Sequence, residues 1–288
     1  MMNETLKRSI SGAIYVILLL ASILFSTNKN FDSFFILFGI FLIIAVFEFC
    51  GLVNINKTVP ILFAGATYFL TYRIANATKG EVLLYSIRYN QNIEKIVLFL
   101  VLLVSIKCLL FLFNENQTIL SSYSKYIYLI GYIILPFLLI TKIPFGKVGY
   151  NPKIIISIFI LIWTNDTFAY IVGKSIGKRK LFEKVSPKKT IEGFVGGVLF
   201  AVLVSYIISK YYIEIVESNT FIWIITALIV SIFGTIGDLI ESKFKRIAGV
   251  KDSGRIMPGH GGILDRLDSV IFATPIIFLF YQILNYVS

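Results

Sequence analysis

Phe34 to Val53 reads FFILFGIFLIIAVFEFCGLV, twenty residues that contain one acid, Glu48, and no base. A helix needs about 20 predominantly apolar residues to cross the hydrocarbon layer of a bilayer. Outward from this run, comparable ones recur at Ile10–Phe25, Val59–Ala75, Ile96–Phe113, Tyr126–Thr141, Ile154–Val172, Phe194–Ser209, Phe221–Leu239 and Ser269–Val287, the third of the nine being short. Hydrophobic residues make up 57% of the 288 and charged residues 15%, and the apolar ones come in blocks rather than at an amphipathic period. The reading is an all-α, polytopic integral membrane protein with about nine transmembrane helices. A β-barrel would instead show short alternating segments.

The formal net charge of +11 raises nucleic acid as a partner, but the bases gather in loops between apolar runs, where they set orientation and meet anionic lipid, so no nucleic acid is expected. Cys50 and Cys108 lie inside apolar runs and there is one histidine, which leaves neither a disulfide framework nor a Cys/His zinc site. Lys7 and Arg8 precede the first run and no small-residue cleavage site follows it, so a retained first span is expected. With the N-terminus in the cytoplasm, inside segments hold 17 Lys and Arg against 9 outside, Lys107 lying within the fourth span. That bias predicts N-terminus in and C-terminus out.

The two halves differ. Residues 1–150 form apolar spans of unassigned role in which Glu48 is the one acid. In residues 151–288, Asp166, Glu192 and Asp238 sit within or at the edges of spans, where an ionisable group is costly and function is its default reading.

The densest chemistry is GDLIESKFKRIAGVKDSGRIMPGHGGILDRLDS, residues 237–269, with Asp238, Glu241, Asp252, Asp265 and Asp268 interleaved with Lys243, Lys245, Arg246, Lys251, Arg255 and Arg266. Hard oxygen ligands without soft ones suit Mg²⁺, with Mn²⁺ as a substitute, and nearby bases suit phosphate. Glycines on both sides of His260 permit positive φ, so that backbone N–H groups can approach an anion. Taken alone, a charge run is a solvated loop and a lone histidine is structural; the interleaving of signs around a glycine-rich turn argues for phosphoryl or nucleotidyl transfer. Upstream, Trp163, Asp166, Tyr170, Gly173, Gly177 and Lys178 form W-x2-D-x3-Y-x2-G-x3-G-K. Helical spacing sets Asp166, Tyr170, Gly173 and Gly177 on one stripe, and packing explains the glycines as well as a ligand does. In SPKKTIEG, residues 186–193, Ser186 or Thr190 suits a helix cap, Glu192 its first turn, and Lys188 and Lys189 a headgroup or nucleotide phosphate.

The pattern S-x-F-K-R-x4-K-D-x-G-x3-P-G-H-G-G-x2-D-R-x-D, from Ser242 to Asp268, resembles the signature of the phosphatidate cytidylyltransferase family. Met257 replaces another apolar residue there, and both upstream motifs agree. The similarity covers about residues 150–288, while the first half matches only in its hydrophobic layout. The resemblance implies an enzyme of phospholipid biosynthesis that joins CTP to phosphatidic acid, giving CDP-diacylglycerol and pyrophosphate. It also implies a catalytic C-terminal region and a place in the inner (plasma) membrane with the site facing the cytoplasm. By the same resemblance, Asp238 and Asp265 hold the metal, with Asp268 as a further ligand or as a group that supports the ligands. Lys245, Arg246, Lys251 and Arg266 meet phosphate, with Asp252 and His260 in the catalytic set. Gly259, Gly261 and Gly262 form a phosphate or ribose cradle. Asp166, Ser186, Lys188, Lys189, Thr190 and Glu192 then bind substrate. Membrane lipids are further partners, and oligomeric state is open, a homodimer being one option. A CTP-dependent lipid kinase would share the metal chemistry; a transporter would show paired interrupted spans, which are not found.

Overall fold

In hydrocarbon a backbone N–H has no partner but the chain itself, so each apolar run closes its hydrogen bonds as a helix. The computed structural model describes residues 4–26, 32–77, 83–114, 119–146, 149–213 and 219–284. Among them are nine helices: α1 Glu4–Leu24, α2 Asp32–Val53, α3 Thr58–Ala77, α4 Leu83–Phe113, α5 Ser122–Ile140, α6 Pro152–Ile176, α7 Ile191–Tyr211, α8 Thr220–Ile247 and α9 Leu264–Ile283. Eight of these, all but α3, are long and apolar enough to cross a membrane. Leu, Ile and Phe side chains such as Ile17, Phe99, Leu110 and Leu199 stand exposed on the outer faces, as a lipid-facing surface requires.

Helix α3 carries Thr67, Tyr68, Thr71, Tyr72 and Arg73, which keep it short of that apolar standard. It nevertheless runs back along α2: Tyr68 Oη donates to Phe35 O at 2.8 Å and its ring packs on Gly39. The chain therefore reverses at α3, and the ends of α2 and α4 reach one face. There the C-terminal turn of α2 and that of α8 line a shared cavity, and Lys243 Nζ of α8 donates to the carbonyls of Phe111 and Leu112 at the end of α4.

Several expected boundaries move, and α8 runs on from the expected Leu239 to Ile247. Helix α9 begins at Leu264 rather than Ser269, which takes Asp265 and Asp268 into its first turns; the expected end at Val287 lies outside the described residues. Helix α5 contains a π-helical segment, Leu129–Ile134, just before Pro136. Proline has no N–H and its ring crowds the carbonyl four residues back, so a wider turn relieves the clash. Two short antiparallel hairpins also form: β1 Phe145–Gly146 with β2 Gly149–Tyr150, and β3 Lys180–Phe182 with β4 Ser186–Thr190.

Helices α6 and α7 approach closely along glycines: a Cβ on Gly193 would lie 2.6 Å from Ala169 O, and one on Gly197 would lie 2.7 Å from Asn165 O. Gly173 meets Thr190 and Gly193 in the same seam, which is the packing reading of that glycine. The ring of Phe244 on α8 contacts Phe49, Phe111, Tyr128 and Tyr132, tying α8 to α2, α4 and α5 in one core.

Candidate active site

Two connections converge on one face, the β3–β4 hairpin between α6 and α7 and the loop between α8 and α9. Between them lies a cavity of about 820 Å³. Asp166, Tyr170 and Gly173 line it from α6, Lys188, Lys189 and Thr190 from the hairpin, Asp238, Ser242, Lys245 and Arg246 from α8, and Lys251, Asp252, Asp265, Arg266 and Asp268 from the loop and α9. Residues that the sequence spreads over a hundred positions thus share one wall.

The carboxylates that converge are Asp238, Glu241 and Asp268, whose ligand oxygens lie within 4.8 Å of one another. Asp238 and Glu241 are three apart on α8 and so share a helix face. Glu241 is fully buried, and its Oε1 has no hydrogen-bond partner among the described residues. A buried carboxylate oxygen without a donor, beside two further carboxylates, has the donor chemistry of a hard divalent cation site. The residues present fit Mg²⁺ or Mn²⁺.

Asp265 stands differently from the expected ligand. Its Oδ1 accepts from Lys245 Nζ at 2.7 Å, and its Oδ2 accepts from Ser253 N and Oγ, both at 2.9 Å, and from Gly262 N at 2.7 Å. Both oxygens are engaged in holding the α8–α9 loop, and Glu241 takes the third place in the carboxylate group. Lys245 bridges the two sets, donating also to Glu241 Oε2 at 2.6 Å. Across the cavity Lys189 pairs with Asp238 at 2.5 Å, joining the hairpin to α8, and Ser242 Oγ donates to Asp238 Oδ1 at 3.1 Å. Arg246 Nε donates to Val185 O at 3.3 Å, a second tie between α8 and the hairpin. Lys188, Lys251 and Arg266 are exposed at the cavity, and neither Lys251 nor Arg266 pairs with its neighbouring aspartate among the described residues.

Several expected binding residues lie elsewhere. Thr190 is the α7 N-cap, accepting from Gly193 N at 3.1 Å, although it also reaches the cavity; Ser186 lies in β4 and does not. Glu192 accepts from Lys178 N, Arg179 N and Arg179 Nε, so its carboxylate fastens the hairpin and is off the cavity wall. None of Gly259, Gly261 and Gly262, the expected cradle, lines the cavity. Three N–H groups of the turn bond locally: Met257 N donates to Gly261 O, His260 N to Met257 O, and Gly262 N to Asp265. Gly259 and Gly261 do have positive φ, 78° and 87°, as a turn this tight demands. His260 faces α1, its Nδ1 2.7 Å from Ser11 Oγ, rather than the cavity. Burial and the nearby Arg266 and Arg8 guanidinium groups push its pKa below the ordinary imidazole value.

A sequence profile described as the cytidylyltransferase family matches residues 6–284, nearly the whole chain. The chain belongs to the cytidylyltransferase family. Among curated relatives, a phosphatidate cytidylyltransferase of Staphylococcus aureus is 52% identical over 121 residues, 41% of this chain and 45% of the relative. One from Staphylococcus epidermidis is 47% identical over 125 residues (43% and 47%), and one from Staphylococcus haemolyticus is 50% identical over 119 (41% and 45%). The chain thus spans about half the length of the curated relatives it matches.

Two carboxylates without a role in the sequence pattern, Glu241 and Glu48, take part in the structure. Glu241 was visible in principle, three residues after Asp238 on one apolar helix. Glu48 was not: its partners are Ile263 N at 3.2 Å, Leu264 N at 2.9 Å and Ser253 Oγ at 3.3 Å, more than 200 residues away.

Proposed function

We propose that this cytidylyltransferase joins CTP to phosphatidic acid, giving CDP-diacylglycerol and pyrophosphate. The observation that carries the reading is one cavity among the spanning helices where Asp238 and Asp268, with Glu241 buried beside them, face exposed bases from two loops. The relatives named phosphatidate cytidylyltransferase support the choice of substrates.

The nucleophile is a phosphate oxygen of phosphatidic acid, which is largely dianionic near neutral pH because the second pKa of a phosphomonoester is about 6. It needs no strong general base; what it needs is alignment with the α-phosphorus of CTP and neutralised charge. Asp238, Glu241 and Asp268 would hold Mg²⁺ or Mn²⁺, which when bound offsets phosphate charge. Lys188, Lys251 and Arg266 bind phosphate oxygens directly at the rim, while Lys189 and Lys245 hold the carboxylates in place. Asp166, across the cavity on α6, faces the same space and orients polar groups of substrate. The protein is a multi-pass membrane protein; we place it in the inner membrane with the cavity open to the cytoplasm, the CTP-containing side, in line with the charge bias.

The test is protein purified in detergent, given CTP labelled in the cytosine or the γ-phosphate together with phosphatidic acid and Mg²⁺. Cytosine label in the lipid product with release of pyrophosphate is the expected result. Label from the γ-phosphate in lipid would mean a kinase, and neither label in lipid would overturn the assignment.

A further inference from the structure

We propose that Glu48, on α2 in the half of the chain without signature residues, is a positioning residue that seats the α8–α9 loop against the site. The inference rests on the proposed function for its kinetic part only.

The carboxylate of Glu48 is buried, 3% exposed, and points into the start of α9. Oε1 accepts from Ile263 N, and Oε2 from Leu264 N and Ser253 Oγ. The first backbone N–H groups of a helix lack intrahelical partners and carry the positive end of its dipole, so an anion from another helix is the complement that they lack. Ile263 supplies no side-chain cap of its own. Ser253 then links the contact onward: its one hydroxyl proton is shared between Glu48 Oε2 at 3.3 Å and Asp265 Oδ2 at 2.9 Å, its N–H goes to Asp265 Oδ2, Asp265 Oδ1 accepts from Lys245, and Lys245 also donates to Glu241 of the carboxylate group. A path of hydrogen bonds thus runs from α2 to the site.

Two glycines of the signature have their explanation here. A Cβ on Gly254 would lie 2.2 Å from Glu48 Oε1, with Cδ and Cγ of the same side chain as its next neighbours, and one on Gly262 would lie 2.4 Å from Oε2. Gly254 has an ordinary backbone conformation, because it is absent from the positive-φ residues. Space for Glu48, rather than turn geometry, excludes a side chain at that position. Lys251, Asp252, Asp265 and Arg266 all belong to the segment that Glu48 seats, so its loss displaces them together.

Glu48→Gln keeps the shape but replaces one acceptor oxygen with an NH₂ group that confronts N–H donors. Hydrogen exchange in detergent should quicken across residues 253–264, and kcat should fall roughly ten- to a hundredfold, the cost of a charge-assisted hydrogen bond. Glu48→Asp should recover part of it. Unchanged exchange in Glu48→Gln would overturn the proposal, as would unchanged kcat in an active enzyme. A mutant cycle decides it without any assay of activity. Gly254→Ala should lower the melting temperature and quicken loop exchange in the parent, yet change little in a Glu48→Ala background; additive effects would refute the seating. Should the parent itself lack CTP-dependent activity, the functional reading fails while the cycle still decides the role of Glu48.

Discussion

Asp265 and Asp268 stand three residues apart in one helical turn, yet their surroundings assign them different work. Asp268 converges with Asp238 and Glu241, whereas Asp265 accepts four hydrogen bonds, from Lys245, Ser253 and Gly262. Asp238→Asn and Asp268→Asn should each abolish CTP turnover, and Asp268→Asn should leave melting temperature in detergent close to the parent, since Asp268 accepts from the adjacent Ser269 N whereas Asp238 also ties α8 to the hairpin through Lys189. Asp265→Asn should lose activity and heat stability together, because an amide places donors against Lys245 or the loop N–H groups. Equal stability of all three would remove the distinction. At the rim, Arg266 donates from NH2 to His260 O at 3.0 Å, which leaves its other guanidinium donors for phosphate. Arg266→Ala should cut kcat/KM for CTP roughly ten- to a hundredfold, the loss of a charge-assisted hydrogen bond. Its Mg²⁺ dependence should stay near wild type; unaltered CTP kinetics in folded protein would remove it from the phosphate site. His260 is the single histidine, so its titration is directly observable. Burial and two nearby guanidinium groups disfavour its proton, so an NMR titration should find the midpoint below about 6.5. The unfolded chain then binds the proton first as pH falls, and this residue's contribution to stability is lost downward through the interval between 6.5 and the folded midpoint. A midpoint above 6.5 would contradict its place against α1.

At the scale of elements, what was legible was whatever depends on local pattern. The apolar blocks gave the helices, the Ser186-or-Thr190 choice contained the cap of α7, which is Thr190, and the stripe of Asp166, Tyr170 and Gly173 gave the α6 face that lines the cavity. What was hidden depends on long-range contact or on a few residues of irregular backbone. The β3–β4 hairpin arises from pairing Lys180 with Thr190 in a segment too short and too charged to show a strand period. In the glycine turn that read as an anion cradle, the N–H of His260 goes to Met257 O and that of Gly262 to Asp265, which spacing alone does not reveal. Glycine packing in the α6–α7 seam is the clearest test at this scale. Gly197 faces Asn165, and a Cβ there would also lie 2.7 Å from its Oδ1. Gly197→Val should therefore separate the helices, costing about 1–3 kcal/mol as overpacking does, read as a lower melting temperature. A substitution at Val195, exposed on the outer face of α7, should be near neutral; equal effects at both positions would contradict the seam.

Across the whole molecule, the direction of each helix decides where the site faces. Helices α2, α4 and α8 end at one face, where Lys243 meets the end of α4 and the α2 and α8 termini share a cavity; α9 starts there, and α1 starts there too, with Ser11 against Pro258 and His260. That arrangement needs α3 to carry the chain back across, as its antiparallel contact with α2 does, despite its polar residues. The face so assembled carries both basic loops, and bases concentrate on the cytoplasmic side of membrane proteins. Glu183, exposed in the hairpin turn, should therefore lie inside, and Tyr211, 84% exposed at the far end of α7, outside. The native Cys50 and Cys108 are buried, so they leave a clean background for single-cysteine labelling. A membrane-impermeant maleimide on intact cells should modify Tyr211→Cys at once and Glu183→Cys only after permeabilisation. The reverse pattern would turn the cavity away from CTP and overturn the orientation, while labelling of both sites from outside would mean that α7, the one helix between them, does not span.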